Sequence, residues 1–358
     1  MRRLIRAALF ILLGTIVLTP GCSSPFVENN TIEEIAPVIF WSINEGKEQK
    51  LKISTLAPPL IKEKKRLLTL QVDMQKQGGK EFRLKYYREL KAGQLRILLI
   101  NEDMAKKGIL TLINPLLTDP DISQRLYLVI VRGIFEDYIQ KQLNQQATLD
   151  YFLYQMFKHY ETHNQGEMSI VNLHQFKHKL YSPYADPVLP VFKVKNENFT
   201  YEGTSFFRND KLTATVNKME DQIFQMIDND YYLKLFAIPA LSVTLGHARS
   251  KVQRELSRDY SSFSIKVDLS GRIEEYRGDK NLEDPKNLAA LQNEIEKYLE
   301  ENTTKLMKKL QKKKVDPLEI GTLTLKPWAK PLSEKQWRDY WEQMKINVDY
   351  KVHLQIFK

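Results

Sequence analysis

Cysteine is almost missing from this chain of 358 residues: one thiol, Cys22, is all it has. A single thiol excludes an intramolecular disulfide framework and any zinc knuckle built on cysteine pairs. The short signatures of common catalytic machinery are missing too. There is no G-x-S-x-G elbow, no G-x-x-x-x-G-K-[ST] phosphate loop and no H-E-x-x-H pair. Arginine and lysine do not interleave with aromatics in a stripe, which argues against nucleic acid as a partner. After the first eighteen residues no apolar run is long enough to cross a bilayer.

The charge that is present is basic. The formal net charge is +10, and without Arg2, Arg3 and Arg6 it is +7. Such an excess suits an anionic membrane surface, where each well-placed Lys or Arg contributes roughly 1 kcal/mol. The chain is long enough for more than one sizeable core, and its charges are dispersed, so a folded chain of two or three domains is expected.

Cys22 matters through its position. Arg2, Arg3 and Arg6 precede a twelve-residue apolar run, Ala7 to Leu18, and Thr19-Pro20-Gly21-Cys22 follows. The run is short of the ~20 residues of a membrane span and fits the core of a secretory signal. The segment resembles a bacterial lipobox, in which a small residue precedes a cysteine that is diacylated and becomes the new N-terminus. An uncleaved anchor, or a plain secretory signal with an incidental thiol, is the alternative. On the lipobox reading residues 1–21 are a signal peptide and residues 22–30 a lipid-anchored polar tether.

The mature chain reads as α+β: an N-terminal mixed α/β domain over 31–195 and a C-terminal α+β domain over 199–358, with antiparallel strands packed on a long helix. In the first, Ile35 to Phe40 and Leu51 with Ile53 form a hairpin about Asn44-Glu45-Gly46, and Leu67 to Val72 is a strand entering a turn at Gly78-Gly79. Arg96 to Ile100 is a buried strand, Asn101-Glu102-Asp103 caps a helix from Met104, and Ile109 to Leu117 continues as helix beyond Gly108. Leu126 to Val131 is again a buried strand, followed by a helix over Phe135 to Gln146. Pro183, Pro187 and Pro190 mark a linker.

In the second domain, Asn209-Asp210 turns a hairpin, Phe263 to Leu269 is a half-buried strand, and Ser270-Gly271 turns the chain toward Ile273. Asp284 and Pro285 start a helix whose stripe Leu288, Leu291, Ile295, Leu299, Thr303, Leu306 and Leu310 is apolar. Lysines gather at its far end, Lys305 to Lys314, and read either as a solvated helix end or as a contact for anionic lipid or a partner. Ile346 to Ile356 alternates as a long strand that pairs with the 263–269 region.

Few residues suggest chemistry. His159 with His163, and His174 with His178, are spaced i, i+4 and face one side of a helix. That spacing could bind zinc but is the ordinary pattern of a solvated helix face; with no further ligand to complete a set, no metal and no cofactor is assigned. Asp316 and Glu319 are either paired acids in a cleft, as a glycosidase uses, or parts of a turn after the long helix.

Four stretches carry a resemblance. Asn101-Glu102-Asp103-Met104-Ala105-Lys106-Lys107-Gly108-Ile109 is similar to a "GEELAKKGI" stretch, Tyr201 to Leu212 to "GTALFKNDKLVG", and Lys314 to Gly321 to "DPLGIG"; Trp337 and Trp341 precede the terminal strand. In this order, after a lipobox-like cysteine, they resemble the Ger(x)C (GerAC-like) spore germination lipoproteins, the C subunits of nutrient-germinant receptors. Ser23-Ser24 stands where that family has Trp-Asp, and Phe40-Trp41-Ser42-Ile43-Asn44 where it has "GIGID".

The resemblance implies a non-enzymatic lipoprotein on the outer face of the spore inner membrane, acylated at Cys22. Its partners would be membrane lipid and the A-type and B-type membrane subunits. A stand-alone extracytoplasmic lipoprotein that binds or hydrolyses a small molecule or wall fragment is the alternative. It predicts a concave pocket with perturbed carboxylates, whereas the subunit predicts exposed apolar or aromatic patches and no such pocket.

Overall fold

The computed structural model describes residues 34–59, 65–73, 81–82, 84–143, 149–163, 167–195, 198–328 and 330–356. Cys22, its leader, and the Gly78-Gly79 turn lie outside them. The first half holds β1 (Ile35–Pro37), β2 (Phe40–Glu45), β3 (Leu51–Ala57), β4 (Arg66–Val72), β5 (Glu89–Lys91) and β6 (Ile97–Asn101). Helices α1 (Glu102–Lys107) and α2 (Leu110–Leu117) follow, then β7 (Tyr127–Arg132), α3 (Phe135–Gln142), α4 (Leu149–His163) and α5 (Leu173–Leu180). Next come β8 (Val188–Lys195), β9 (Asn198–Arg208), β10 (Lys211–Asn217) and α6 (Lys218–Asp228). Strands β11 (Tyr231–Ile238), β12 (Val243–Leu256) and β13 (Ser262–Tyr276) precede helices α7 (Pro285–Lys312) and α8 (Glu334–Gln343), and β14 (Lys345–Gln355) ends the order. The architecture is α+β, as expected.

One eight-stranded sheet runs β10-β9-β8-β7-β6-β2-β3-β4. Its centre, β2, β6, β7 and β8, is parallel, and antiparallel pairs flank it on both sides. Parallel strands need cover on both faces, which explains the unbroken apolar run Ile97-Leu98-Leu99-Ile100. Leu98 and Ile100 pack with α2 residues Leu112 and Leu116. Ile97 and Leu99 pack on the other face with Phe135 of α3 and Phe157 of α4.

The second sheet, β11-β12-β13-β14, is antiparallel except at its last pair. The terminal strand joins β13 as expected, but in parallel register, Phe263 opposite Ile346. A parallel partner needs a crossover, and α7 supplies it. Asp284 accepts from the Lys286 amide and Pro285 occupies the first turn, while Leu291, Ile295, Leu299, Leu306 and Leu310 are buried against the sheet. Thr303, the one polar residue in that stripe, meets the Tyr350 hydroxyl at 2.9 Å.

Four expectations are corrected. Ile35–Pro37 leaves the first hairpin and pairs with β5; the hairpin is β2–β3, and its connection is a 3-10 turn at Lys47–Gln49. The prolines of 183–190 do not mark a linker: Tyr184, Ala185, Val188 and Leu189 are buried, and Pro190 lies inside β8. Ser270-Gly271 makes no turn, because β13 runs unbroken through it and the irregularity falls on β12, between Gly246 and Arg249. The helix begun at Phe135 ends at Gln142.

Gly203 sits where β9 shifts register against β8. Its φ is +145°, and a Cβ there would lie 1.9 Å from the Val216 carbonyl oxygen. Gly203→Ala is therefore expected to destabilise the protein by at least about 2 kcal/mol, read as a fall in the denaturant midpoint at constant slope.

Candidate functional site

The stretches that stand out in the sequence meet one another in space at two joints. At the first, Asn101 caps α1 by accepting from the Asp103 amide (2.9 Å) and the Met104 amide (3.4 Å). Glu102 in the first turn receives both ends of the Arg132 guanidinium, Nη2 at 2.7 Å and Nε at 2.9 Å, and Arg132 Nη1 reaches Glu202 at 2.6 Å. These bonds hold the Glu102 carboxyl below its usual range against the opposing effect of burial. Helix α2 has no cap of its own. Asp210, in the β9–β10 turn, supplies one: its side chain accepts from the Leu110 amide (3.0 Å) and its carbonyl from Ile109 (3.0 Å). The stretches at 101–109 and 201–212 are thus the two sides of one contact.

The second joint is built on Asp186, which is 1% exposed. Its carboxylate accepts from Arg338 Nη2 (3.1 Å) and Nη1, from Arg208 Nη1 (3.4 Å) and from the Asp316 amide (2.7 Å). Its own amide donates to the Asp316 carbonyl at 2.9 Å. Asp316 is fully buried and accepts from the amides of Ile320 (3.1 Å) and Gly321 (2.9 Å). Trp341 donates to the Val315 carbonyl at 2.9 Å and stacks on Trp337, centroids 6.2 Å apart. Gly321 lets the turn approach that pair, since a Cβ there would lie 2.7 Å from Trp337 Nε1.

Asp316 and Glu319 thus hold different partners within the fold. Asp316 organises a turn, and Glu319, in left-handed backbone (φ 57°), pairs with Lys179 at 3.2 Å. Burial, with Asp186 adding to it, pushes the Asp316 carboxyl up to about 7, while the two amides it accepts from oppose the shift.

A third polar centre ties α6 to the main sheet. Asp221 is buried and accepts from Ser169 Oγ (2.8 Å), Tyr201 Oη (2.5 Å) and Gln225 Nε2 (2.7 Å). Burial raises both the Asp221 carboxyl and the Tyr201 phenol above their ordinary ranges.

A cleft of about 770 Å³ lies among α4, α5, α6, the start of β11 and the 318–323 segment. Its charges are closed internally: Lys179 on Glu319 and on the Pro317 carbonyl (2.7 Å), and Arg254 on Asp228 (3.7 Å) and on the Leu318 carbonyl (3.0 Å). Burial raises the Asp228 carboxyl. His174 and His178 are exposed on α5 at its edge; His159 is exposed on α4, which ends at His163. Among the described residues no group of three or more metal-ligating side chains forms. In the lysine cluster, Lys309 pairs with Glu220 (3.3 Å) and Lys314 with Glu342 (2.8 Å), while Lys305, Lys308, Lys312 and Lys313 are exposed.

Sequence reasoning missed Asp186, Arg132, Arg338 and Asp221, together with the elements from α6 to β12. The available signal was an isolated charge in apolar surroundings, as in Tyr184-Ala185-Asp186-Pro187 or Trp337-Arg338.

A mixed sheet joined through the Asp186 centre to a second sheet backed by a long helix defines a two-part α+β fold, and comparison identifies its family. The chain belongs to the GerAC-like spore germination family: residues 28–194 match the spore germination protein N-terminal domain, and residues 202–357 match the spore germination B3/GerAC-like C-terminal domain. It is 23% identical over 275 residues to the spore germination protein GerQC of Bacillus cereus, covering 74% of this chain and 75% of that one. The crystal structure of the GerBC protein has the same fold, with a TM-score of 0.55, 15% identity, and coverage of 88% of this chain and 96% of that one.

Replacing Arg338 by Met leaves Asp186 buried without its main partner and is expected to cost about 3–5 kcal/mol of stability. The pH dependence follows from Asp316. Its folded value lies above that of an unfolded chain, so its contribution is complete at low pH and is lost as pH rises through about 7. The stability of the wild type relative to Asp316→Asn should therefore fall between about pH 4 and about pH 7, measured by urea unfolding across that range.

Proposed function

We propose that this chain is the lipid-anchored subunit of a spore nutrient-germinant receptor, acting in germination through protein contacts at the membrane rather than through turnover. The observation that carries the anchoring is the leader: three arginines, a twelve-residue apolar core and Gly21-Cys22. Acylation at Cys22 supplies more than one chain, which makes residence stable where a single chain would be marginal. Residues 1–21 are the signal, 22–30 the tether, and the body after it comprises the two matched regions, placed on the outer face of the spore inner membrane. No helix of the described residues is long and apolar enough to cross a membrane, so the thiol is the point of attachment we assign.

The function follows from the family together with the use the fold makes of its polar groups. Glu102, Glu202, Asp186, Asp210, Asp221 and Asp316 each hold a backbone or side-chain donor within the fold. The partners proposed are the A-type and B-type membrane subunits, and sharing a membrane plane raises the effective concentration of each for the others. The cleft at Asp228 favours a second role, binding of a small ligand. Its volume of about 770 Å³ and the raised Asp228 carboxyl are the pocket and the perturbed carboxylate which that reading predicts.

Metabolic labelling with palmitate tests the anchor: label is expected on the wild type and absent from Cys22→Ala, whose body leaves the membrane fraction. Capture from dormant-spore membranes tests the assembly, with two multi-spanning partners expected. An unlabelled wild type would remove the anchor, and capture without any membrane protein would remove the receptor.

A further inference from the structure

Trp337 and Trp341 are buried and Trp41 is partly so, but Trp328 is wholly exposed. It stands between the 3-10 turn Ile320–Thr324 and α8, with a left-handed backbone (φ 65°) that a bulky residue rarely adopts. Leu323 and Leu325, just before it, are 44% and 48% exposed. From Ile320 to Ser333 the chain carries two lysines, Lys326 and Lys330, and no acid. Lys326 Nζ lies 5.6 Å from the centre of the Tyr260 ring, and Tyr260 meets the exposed Tyr340 edge-on at 5.3 Å. Pro327 and Pro331 stiffen the segment, which reduces the entropy lost when it docks. Of the neighbouring acids, Asp259 accepts from Ser261 and Glu334 from Arg208, while Asp339 is exposed on α8.

Holding an indole in water on a strained backbone is unfavourable. A lipid interface reverses that balance. Indole and phenol rings favour the headgroup level of a bilayer, and flanking lysines favour its anionic phosphates. A single convex ring between cations fits that layer better than it fits the broad, charge-poor core of a protein interface.

We infer that the face around Trp328 is a second membrane contact: Trp328 enters the headgroup layer of an anionic bilayer, Lys326 and Lys330 rest on its phosphates, and Tyr260 and Tyr340 lie beside them. This rests on the anchored reading above.

The test uses the lipid-bearing chain in phosphatidylglycerol vesicles that contain lipids brominated at known depths. Shallow bromines are expected to quench about a quarter of the emission, one tryptophan in four, and to shift its maximum to the blue. Trp328→Ala should abolish the quenching and leave flotation with the vesicles unchanged. Neutral phosphatidylcholine vesicles should quench several-fold less. Emission that stays unquenched on vesicles the protein has floated with overturns the inference. So does a Trp328→Ala chain that is quenched like the wild type. Loss of membrane-protein capture in Trp328→Ala with no quenching in the wild type overturns it in favour of a protein partner. Flotation reads the acyl anchor and quenching reads the loop: if the wild type fails to float, the anchor has failed, and quenching at saturating vesicle concentration still decides the loop.

Discussion

A carboxylate removed from water has to be met by donors, and Asp186 draws its donors from distant parts of the chain. Arg208 arrives with the β9–β10 hairpin, the Asp316 amide with the turn after α7, and Arg338 with α8. Only when the main sheet, the long helix and the last helix are all in place is that charge compensated. A partial assembly would leave a buried ion without its partner, at a cost of several kcal/mol. The joint thus couples the packing of the two halves. Trp337, Trp341 and Gly321, packed around it, are shaped by the same demand.

This explains why the recognisable stretches of the sequence are where they are. The stretch at 101–109 and the one at 201–212 touch through Asp210 and Arg132; the stretch at 314–321 and the tryptophan pair touch through Val315 and Gly321. Each is a place where remote segments fit together, with charges neutralised and helix ends capped. A resemblance at such places reports a shared fold before it reports shared chemistry. That agrees with a fold likeness to GerBC at 15% identity.

What was legible follows from the range of the forces involved. Ile97 to Ile100, the α7 stripe and the terminal strand announce themselves because local periodicity and burial agree. The parallel register of β14 was not read: the antiparallel expectation overlooked that a helix as long as α7 between two strands can serve as a crossover. The linker reading of 183–190 failed because proline is a local signal with a tertiary exception. The register of β8 with β7 begins at Val191, so the amide missing from Pro190 is not required by that ladder. Ser270-Gly271 failed similarly: Gly271 continues β13 beside a bulge on β12, and the strand passes through. Asp186 was illegible because its partners stand 130 and 152 residues away.

The buried carboxylates are engaged within the fold, and a lipid anchor of the kind proposed would not by itself select which surface faces the membrane. On the proposed reading, a tether of residues 22–30 would span at most roughly 30 Å and would leave the body free to turn. The proposed second contact would remove that freedom. A tether that kept the body close to the bilayer would let even a weak contact at the loop around Trp328 be occupied much of the time. The loop is itself tied to the Asp186 joint, since its 3-10 turn is held by Asp316 and it leads into the helix that carries Arg338. If the proposed membrane contact at Trp328 holds, orientation on the bilayer and the packing of the two halves would depend on the same buried carboxylates, and loosening that joint would loosen both.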